Sequence, residues 1–102
     1  NNTTRGWYQK LGKSEKKRLN KYWPGVIIPR NVHEELHKMA LNSVSRICIL
    51  PFQDILGLGA SAKMNIPGTT DGNWSWRAAP EEIPWDMTDD LKKLNAFYGR
   101  TI

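Results

Sequence analysis

Ile47-Cys48-Ile49-Leu50-Pro51-Phe52 is the stretch on which the fold turns. It is apolar on successive residues, without alternation, the pattern of a strand buried on both faces as in a parallel sheet. A helix is expected just before it, over residues 31–46. Asn31 with Glu34 resembles a capping box. Val32, Leu36, Met39, Ala40, Val44 and Ile47 recur at helical spacing and mark one buried face. Helix followed by buried strand is half of an α/β unit. A parallel strand needs parallel neighbours, each reached by a crossover of about a dozen or more residues. No second buried strand is visible in the sequence. The expected class is therefore α/β, with residues 1–102 forming part of a larger domain.

Upstream, Asn1-Asn2-Thr3-Thr4 offers turn and cap chemistry, and Trp7, Tyr8 and Leu11 form a short apolar group. A helix is expected near 14–23, with Ser14 as N-cap, Leu19, Tyr22 and Trp23 on its apolar side, and Pro24-Gly25 ending it. Downstream, residues 60–80 read as a long loop rich in Gly, Pro, Asn and Thr. Loops of that length inside compact domains usually carry function. The last helix is expected near 88–98, with Thr88 as N-cap, Leu91, Leu94, Phe97 and Tyr98 as its buried stripe, and Gly99 as its stop.

The composition narrows the function classes. The 102 residues are 39% hydrophobic and 25% charged, enough to build a core. No apolar run approaches the roughly 20 residues of a membrane helix, so no membrane role is expected. Cys48 is the single cysteine, which excludes an intrachain disulfide framework and a Cys-rich zinc site. A reducing, cytoplasmic location is the expectation. The net charge of +5 is concentrated in Lys10, Lys13, Lys16, Lys17, Arg18 and Lys21. A basic nucleic-acid-binding module is one reading of that cluster; a solvated helix face is the plainer one, and no nucleic-acid partner is expected.

His33-Glu34-Glu35-Leu36-His37 matches H-E-x-x-H, in which two histidines one turn apart bind zinc and the Glu acts as base. A zinc hydrolase is thus a second alternative. The extended pattern with a further Gly and His is missing, and a polar helix face with two solvent-facing histidines explains the string more simply; no metal or cofactor is expected. Gly57-Leu58-Gly59 with Lys63 lacks the spacing of a phosphate loop and reads as a turn. Asp54 directly follows the buried strand, where parallel α/β folds place chemistry; a structural cap is the equal alternative. Gly72-Asn73-Trp74-Ser75-Trp76-Arg77 joins amide, indole and guanidinium groups. Sugar C–H faces pack on indoles, although tryptophan also serves as a loop anchor.

Three strings in order, Pro51-Phe52-Gln53-Asp54-Ile55-Leu56-Gly57-Leu58-Gly59, Ala62-Lys63-Met64-Asn65-Ile66-Pro67-Gly68-Thr69 and Gly72-Asn73-Trp74-Ser75-Trp76-Arg77, resemble the C-terminal part of the 4-α-glucanotransferases (amylomaltases, or disproportionating enzymes). The opening Asn1-Asn2-Thr3-Thr4-Arg5-Gly6-Trp7 resembles the segment after that family's seventh barrel strand, with Asn2 where many members carry Asp. The resemblance implies the C-terminal strand-and-helix portion of a (β/α)8 TIM barrel, incomplete in this chain. It implies a retaining enzyme that moves an α-1,4-glucan segment to the 4-hydroxyl of an acceptor sugar through a glycosyl-enzyme. All three family carboxylates would lie before Asn1, so no catalytic residue is expected here and the chain alone should be inactive. The implied substrate-binding residues are Asn65 near the cleavage point, Gln53 and Asp54 at the end of the eighth strand, and Asn73 and Trp74 in the following loop. The implied partners are maltooligosaccharide or α-glucan donors and acceptors, and the missing N-terminal portion of the same enzyme.

Overall fold

The computed structural model describes residues 2–101. Five helices follow in order: α1 (Thr4–Lys10), α2 (Lys13–Tyr22), α3 (Val32–Leu41), α4 (Phe52–Ile55) and α5 (Met87–Phe97), with short 3-10 turns at Ala60–Ala62 and Pro80–Glu82. There is no strand among the described residues. Asn1, the first residue of the opening match, lies outside them.

Helix α1 was not expected from the sequence. Thr3 makes it: its hydroxyl accepts the Gly6 N–H at 3.1 Å, a side-chain N-cap. Helix α2 starts two residues earlier than the Ser14 cap would place it. Gly12 is the N-cap, and Glu15 reaches back to accept its N–H at 3.3 Å. In α3, Asn31 occupies the cap position without capping. Its amide instead braces the preceding turn, accepting from Ile28 N at 2.9 Å and donating to Val26 O at 2.9 Å. The core gathers Tyr8 of α1, Ile27 of the α2–α3 turn and Val32 of α3, with Leu11, Leu19, Trp23, Leu36 and Met39 packed around them. Above it, the Lys16 ammonium stands 5.0 Å from the centre of the Tyr8 ring.

Two expectations change. The third helix ends at Leu41 instead of residue 46, and Val44 is fully exposed. The reason lies far along the chain. Arg100 donates from Nε to Leu41 O at 2.7 Å and from Nη2 to Ser43 O and Ser45 O at 3.2 and 2.8 Å. A guanidinium on the terminal carbonyls favours a helix end there.

The second change is the segment 47–52. It runs extended to Pro51, and Phe52 already opens α4. Ile47 and Ile49 are 78% and 85% exposed, while Cys48 and Leu50 are half-buried. No backbone group of Ile47–Leu50 bonds to another backbone group among the described residues. A strand exists only with a neighbour to pair with, and these residues have the extended shape without the neighbour.

Helix α5 starts after Asp86, not Thr88, and stops at Gly99 as expected. Its stripe is only partly covered. Leu91, Leu94 and Tyr98 are half-buried, whereas Phe97 is exposed and stands edge-on to Tyr98.

Candidate functional site

A cavity of about 180 Å³ brings together Gln53, Asp54, Asn65 and Trp74, four of the five residues singled out in the sequence. Thr3, Lys63 and Met64 complete much of its wall, with Asn2 at one side.

Helix α4 sets one wall. Pro51 precedes it with φ at −59°, a preformed start that wastes no N–H. The helix stops after one turn because Gly57 takes a left-handed φ of 71°. Its N–H donates to Asp54 O at 3.1 Å, and the next N–H, of Leu58, donates to Gln53 O at 2.9 Å. Those two bonds form a Schellman stop. Gln53 then ties the helix to the facing wall, donating from Nε2 to Ala62 O at 3.3 Å.

Asp54 is buried, and both its oxygens are engaged. One accepts the Thr4 N–H and the other the Thr4 hydroxyl, each at 2.8 Å. Thr4 is the first residue of α1, so a carboxylate anchors the electropositive end of that helix. Asp54 thus joins segments fifty positions apart while lining the cavity.

Asn65 behaves differently. Its Oδ1 is buried and has no hydrogen-bond partner among the described residues. An unpaired buried acceptor costs about 1–3 kcal/mol, so a donor that reached it would stabilise the site. Trp74 overhangs the same space. Its backbone is left-handed at φ 60°, a conformation that costs a non-glycine residue about 1–2 kcal/mol, and its N–H donates to Met64 O. The residue remains 63% exposed.

Asn73 does not line the cavity. Its Oδ1 accepts from Ile66 N at 2.8 Å and its Nδ2 donates to Thr69 O at 3.0 Å, so it braces the Ile66–Thr69 turn from within. Arg77 is likewise structural in contact, donating to the carbonyls of Trp74 and Trp76 at 3.1 and 3.0 Å. Thr3 and Met64 were not foreseen as wall residues, and Lys63 was weighed only as a phosphate ligand. Their position between the Gln53-Asp54 and Asn65 strings was the available signal.

The histidine pair lies elsewhere. His37 is buried and His33 half-buried, contrary to the solvent-facing placement expected of them. They pack between α3 and α4, with ring centres 6.4 Å apart, beside a cavity of about 560 Å³ that α5 closes with Met87, Leu91 and Leu94. Among the described residues no group of three or more His, Cys, Asp or Glu is arranged to hold a metal ion. Burial pushes both imidazoles below the ordinary value of 6.5. Arg5 adds to the fall at His33, and His33 does so at His37; Glu34 and Asp54 oppose it at His33, and Asp54 at His37. Both rings are therefore neutral near pH 7.

The comparisons with known proteins agree on one family. The family model described as 4-alpha-glucanotransferase matches residues 1–82. A 4-alpha-glucanotransferase of Synechocystis sp. is 37% identical over the whole chain, which covers 20% of that protein. The chloroplastic/amyloplastic 4-alpha-glucanotransferase of Solanum tuberosum is 44% identical over 98% of the chain, covering 18% of the relative. An amylomaltase from Streptococcus agalactiae, solved in complex with acarbose, superposes over 100% of the chain with a TM-score of 0.91 and 27% identity, again over 20% of the solved chain. The chain thus spans about a fifth of the length of the relatives it matches. With the family model covering most of the sequence and the cavity assembled from the residues that carry the resemblance, the chain belongs to the 4-alpha-glucanotransferase family.

Proposed function

We propose that the chain is the C-terminal portion of a 4-alpha-glucanotransferase and supplies one wall of its glucan-binding cleft. The observation that carries this reading is the cavity of about 180 Å³ lined by Gln53, Asp54, Asn65 and Trp74, where the Asn65 amide oxygen, just beneath the wall, has no hydrogen-bond partner among the described residues. A glucosyl unit matches both: a hydroxyl donates to the amide and a C–H face lies against the indole. Gln53 and Asp54 hold this wall to α1 and to Ala62, so their part is positioning.

The reaction is transfer of an α-1,4-glucan segment to the 4-hydroxyl of an acceptor by retaining double displacement, within carbohydrate metabolism. The carboxylates that perform it belong to the N-terminal portion of the enzyme. This chain binds and orients; by itself it is inactive. Ile47–Leu50 is the eighth strand of a TIM barrel, and its open backbone pairs with strands of that portion. The exposed Ile47 and Ile49 side chains are then covered in the same step. No helix of the described residues is long and apolar enough to cross a membrane. The cytoplasm is the proposed location.

The test is incubation of the full-length protein with maltotriose. Appearance of glucose together with longer maltooligosaccharides is expected, and none from the 102-residue chain alone. A full-length protein that releases no glucose, or a short chain that does, overturns the reading.

A further inference from the structure

We infer that His33 is a positioning residue for the Gln53–Asn65 cavity and acts through Gly57. A Cβ built on Gly57 would meet His33 Cε1 at 2.7 Å and Nε2 at 2.8 Å, so the imidazole lies directly on the glycine's bare α-carbon. From a different helix, Arg5 donates from Nη1 to Gly57 O at 3.2 Å. Gly57 is thus held by α1 through its carbonyl and by α3 through its α-carbon. It is buried, and left-handed at φ 71°.

That residue is the pivot of the cavity wall. The Schellman bonds from Gly57 and Leu58 end on the carbonyls of Asp54 and Gln53, so the direction of the turn fixes the direction of α4. The same turn launches the chain through Ala60–Ala62 to Lys63, Met64 and Asn65 on the opposite side. Without the ring, Gly57 borders empty space, and a glycine has more conformations open to it than any other residue. The Gln53–Ala62 bond and the Asn65 amide would then lose their fixed spacing. The flat face of the ring is what permits so close an approach; a branched side chain of equal volume does not provide it. His33 is not among the residues lining the Gln53–Asn65 cavity, and its Nδ1 is buried without a hydrogen-bond partner among the described residues. Its effect on substrate is therefore indirect.

This inference rests on the glucan-cleft reading above. It is tested in the full-length protein with maltotriose as substrate, at a temperature well below the melting point of every variant. His33→Ala and His33→Leu should each raise KM about tenfold or more while kcat stays within about threefold. His33→Phe, which restores a flat ring over Gly57, should bring KM back to within about threefold of the wild type. Gly99→Ala serves as the comparator, because Gly99 ends α5 with nothing within 4 Å of a built Cβ; it should lower Tm and leave KM unchanged. His33→Leu keeps the core volume, so the question stays answerable if His33→Ala does not fold. Unchanged KM in His33→Leu, or in His33→Ala with only Tm reduced, overturns the positioning role and leaves the glucan-cleft reading standing. A KM raised equally in His33→Phe also overturns it. Absence of glucose release by the wild type overturns the cleft reading and this inference with it.

Discussion

Gly57 and Gly99 end their helices by the same pair of bonds, yet they sit in opposite surroundings. At α5, Gly99 N–H donates to Ala96 O at 3.2 Å and Arg100 N–H to Asn95 O at 2.7 Å, repeating the Schellman pattern of Gly57 and Leu58. Both glycines are left-handed, at φ 71° and 69°. A Cβ on Gly57 would run into His33, whereas one on Gly99 would meet nothing within 4 Å. Local backbone chemistry is therefore equal at the two sites, and the difference is tertiary. One stop is locked between helices beside the cavity; the other is free at the surface. The conformational rule that selects glycine is local, and the use made of that glycine is not.

Substitutions turn this contrast into numbers. Gly57→Ala combines left-handed strain with an overlap that the His33 ring must relieve, and should cost about 4 kcal/mol. Gly57→Ala in a His33→Ala background should cost less, since the overlap is gone; equal costs in both backgrounds would remove the tertiary half of the contrast. Asp54→Ala leaves the Thr4 N–H and hydroxyl without their acceptor at a partly buried helix start, for about 2–3 kcal/mol by denaturant unfolding. Arg100→Ala frees the carbonyls at the end of α3 and should cost about 1–2 kcal/mol. Gly99→Ala should cost only the conformational strain, about 1 kcal/mol. A Gly99 penalty as large as that at Gly57 would show that strain alone accounts for both.

The smallest expected effect is on pH dependence. His33 and His37 titrate below 6.5 in the folded protein and at the ordinary value when unfolded. Between those values the unfolded chain binds more protons, so stability rises with pH. The contribution is complete above about pH 7 and declines as pH falls below 6.5 towards the lowered folded values. Glu34 and Asp54 at His33, and Asp54 at His37, limit the size of the change, whereas Arg5 at His33 and His33 at His37 add to it. His37→Leu in the full-length protein should flatten the fall in Tm between pH 7 and 5 relative to wild type; an unchanged slope would mean that His37 is not held neutral by burial.

The same division between local and tertiary explains what could be read in the sequence. The Gly99 stop, the start of α3, the start of α2 to within two residues, and the strings that carry the family resemblance are local patterns, and they were legible. The end of α3 was not, because it depends on Arg100, almost sixty positions away. The burial of His33 and His37 was hidden for the same reason: their cover is α4, not their own helix. Helix α1 is short and contains Gly6, so its periodicity is faint; the Thr3 cap and the Asp54 carboxylate make it. At 47–52 the composition of a buried strand is present while the pairing partner is not among the described residues; Ile47–Leu50 stays extended with Ile47 and Ile49 exposed, and Phe52 opens α4. Within the cavity, Gln53, Asp54, Asn65 and Trp74 converge as the motifs suggest, but a motif does not say which member faces the cavity and which braces the loop. Asn73 proved to be a brace.

Steady-state kinetics of Asn65→Ala in the full-length protein, with maltotriose, test most directly whether this wall receives a glucan. Loss of one buried hydrogen bond to substrate predicts a fall in kcat/KM of about 10- to 100-fold with Tm unchanged or raised, because the Asn65 oxygen has no partner among the described residues. A variant with wild-type kcat/KM would contradict the assignment of this cavity as part of the glucan site.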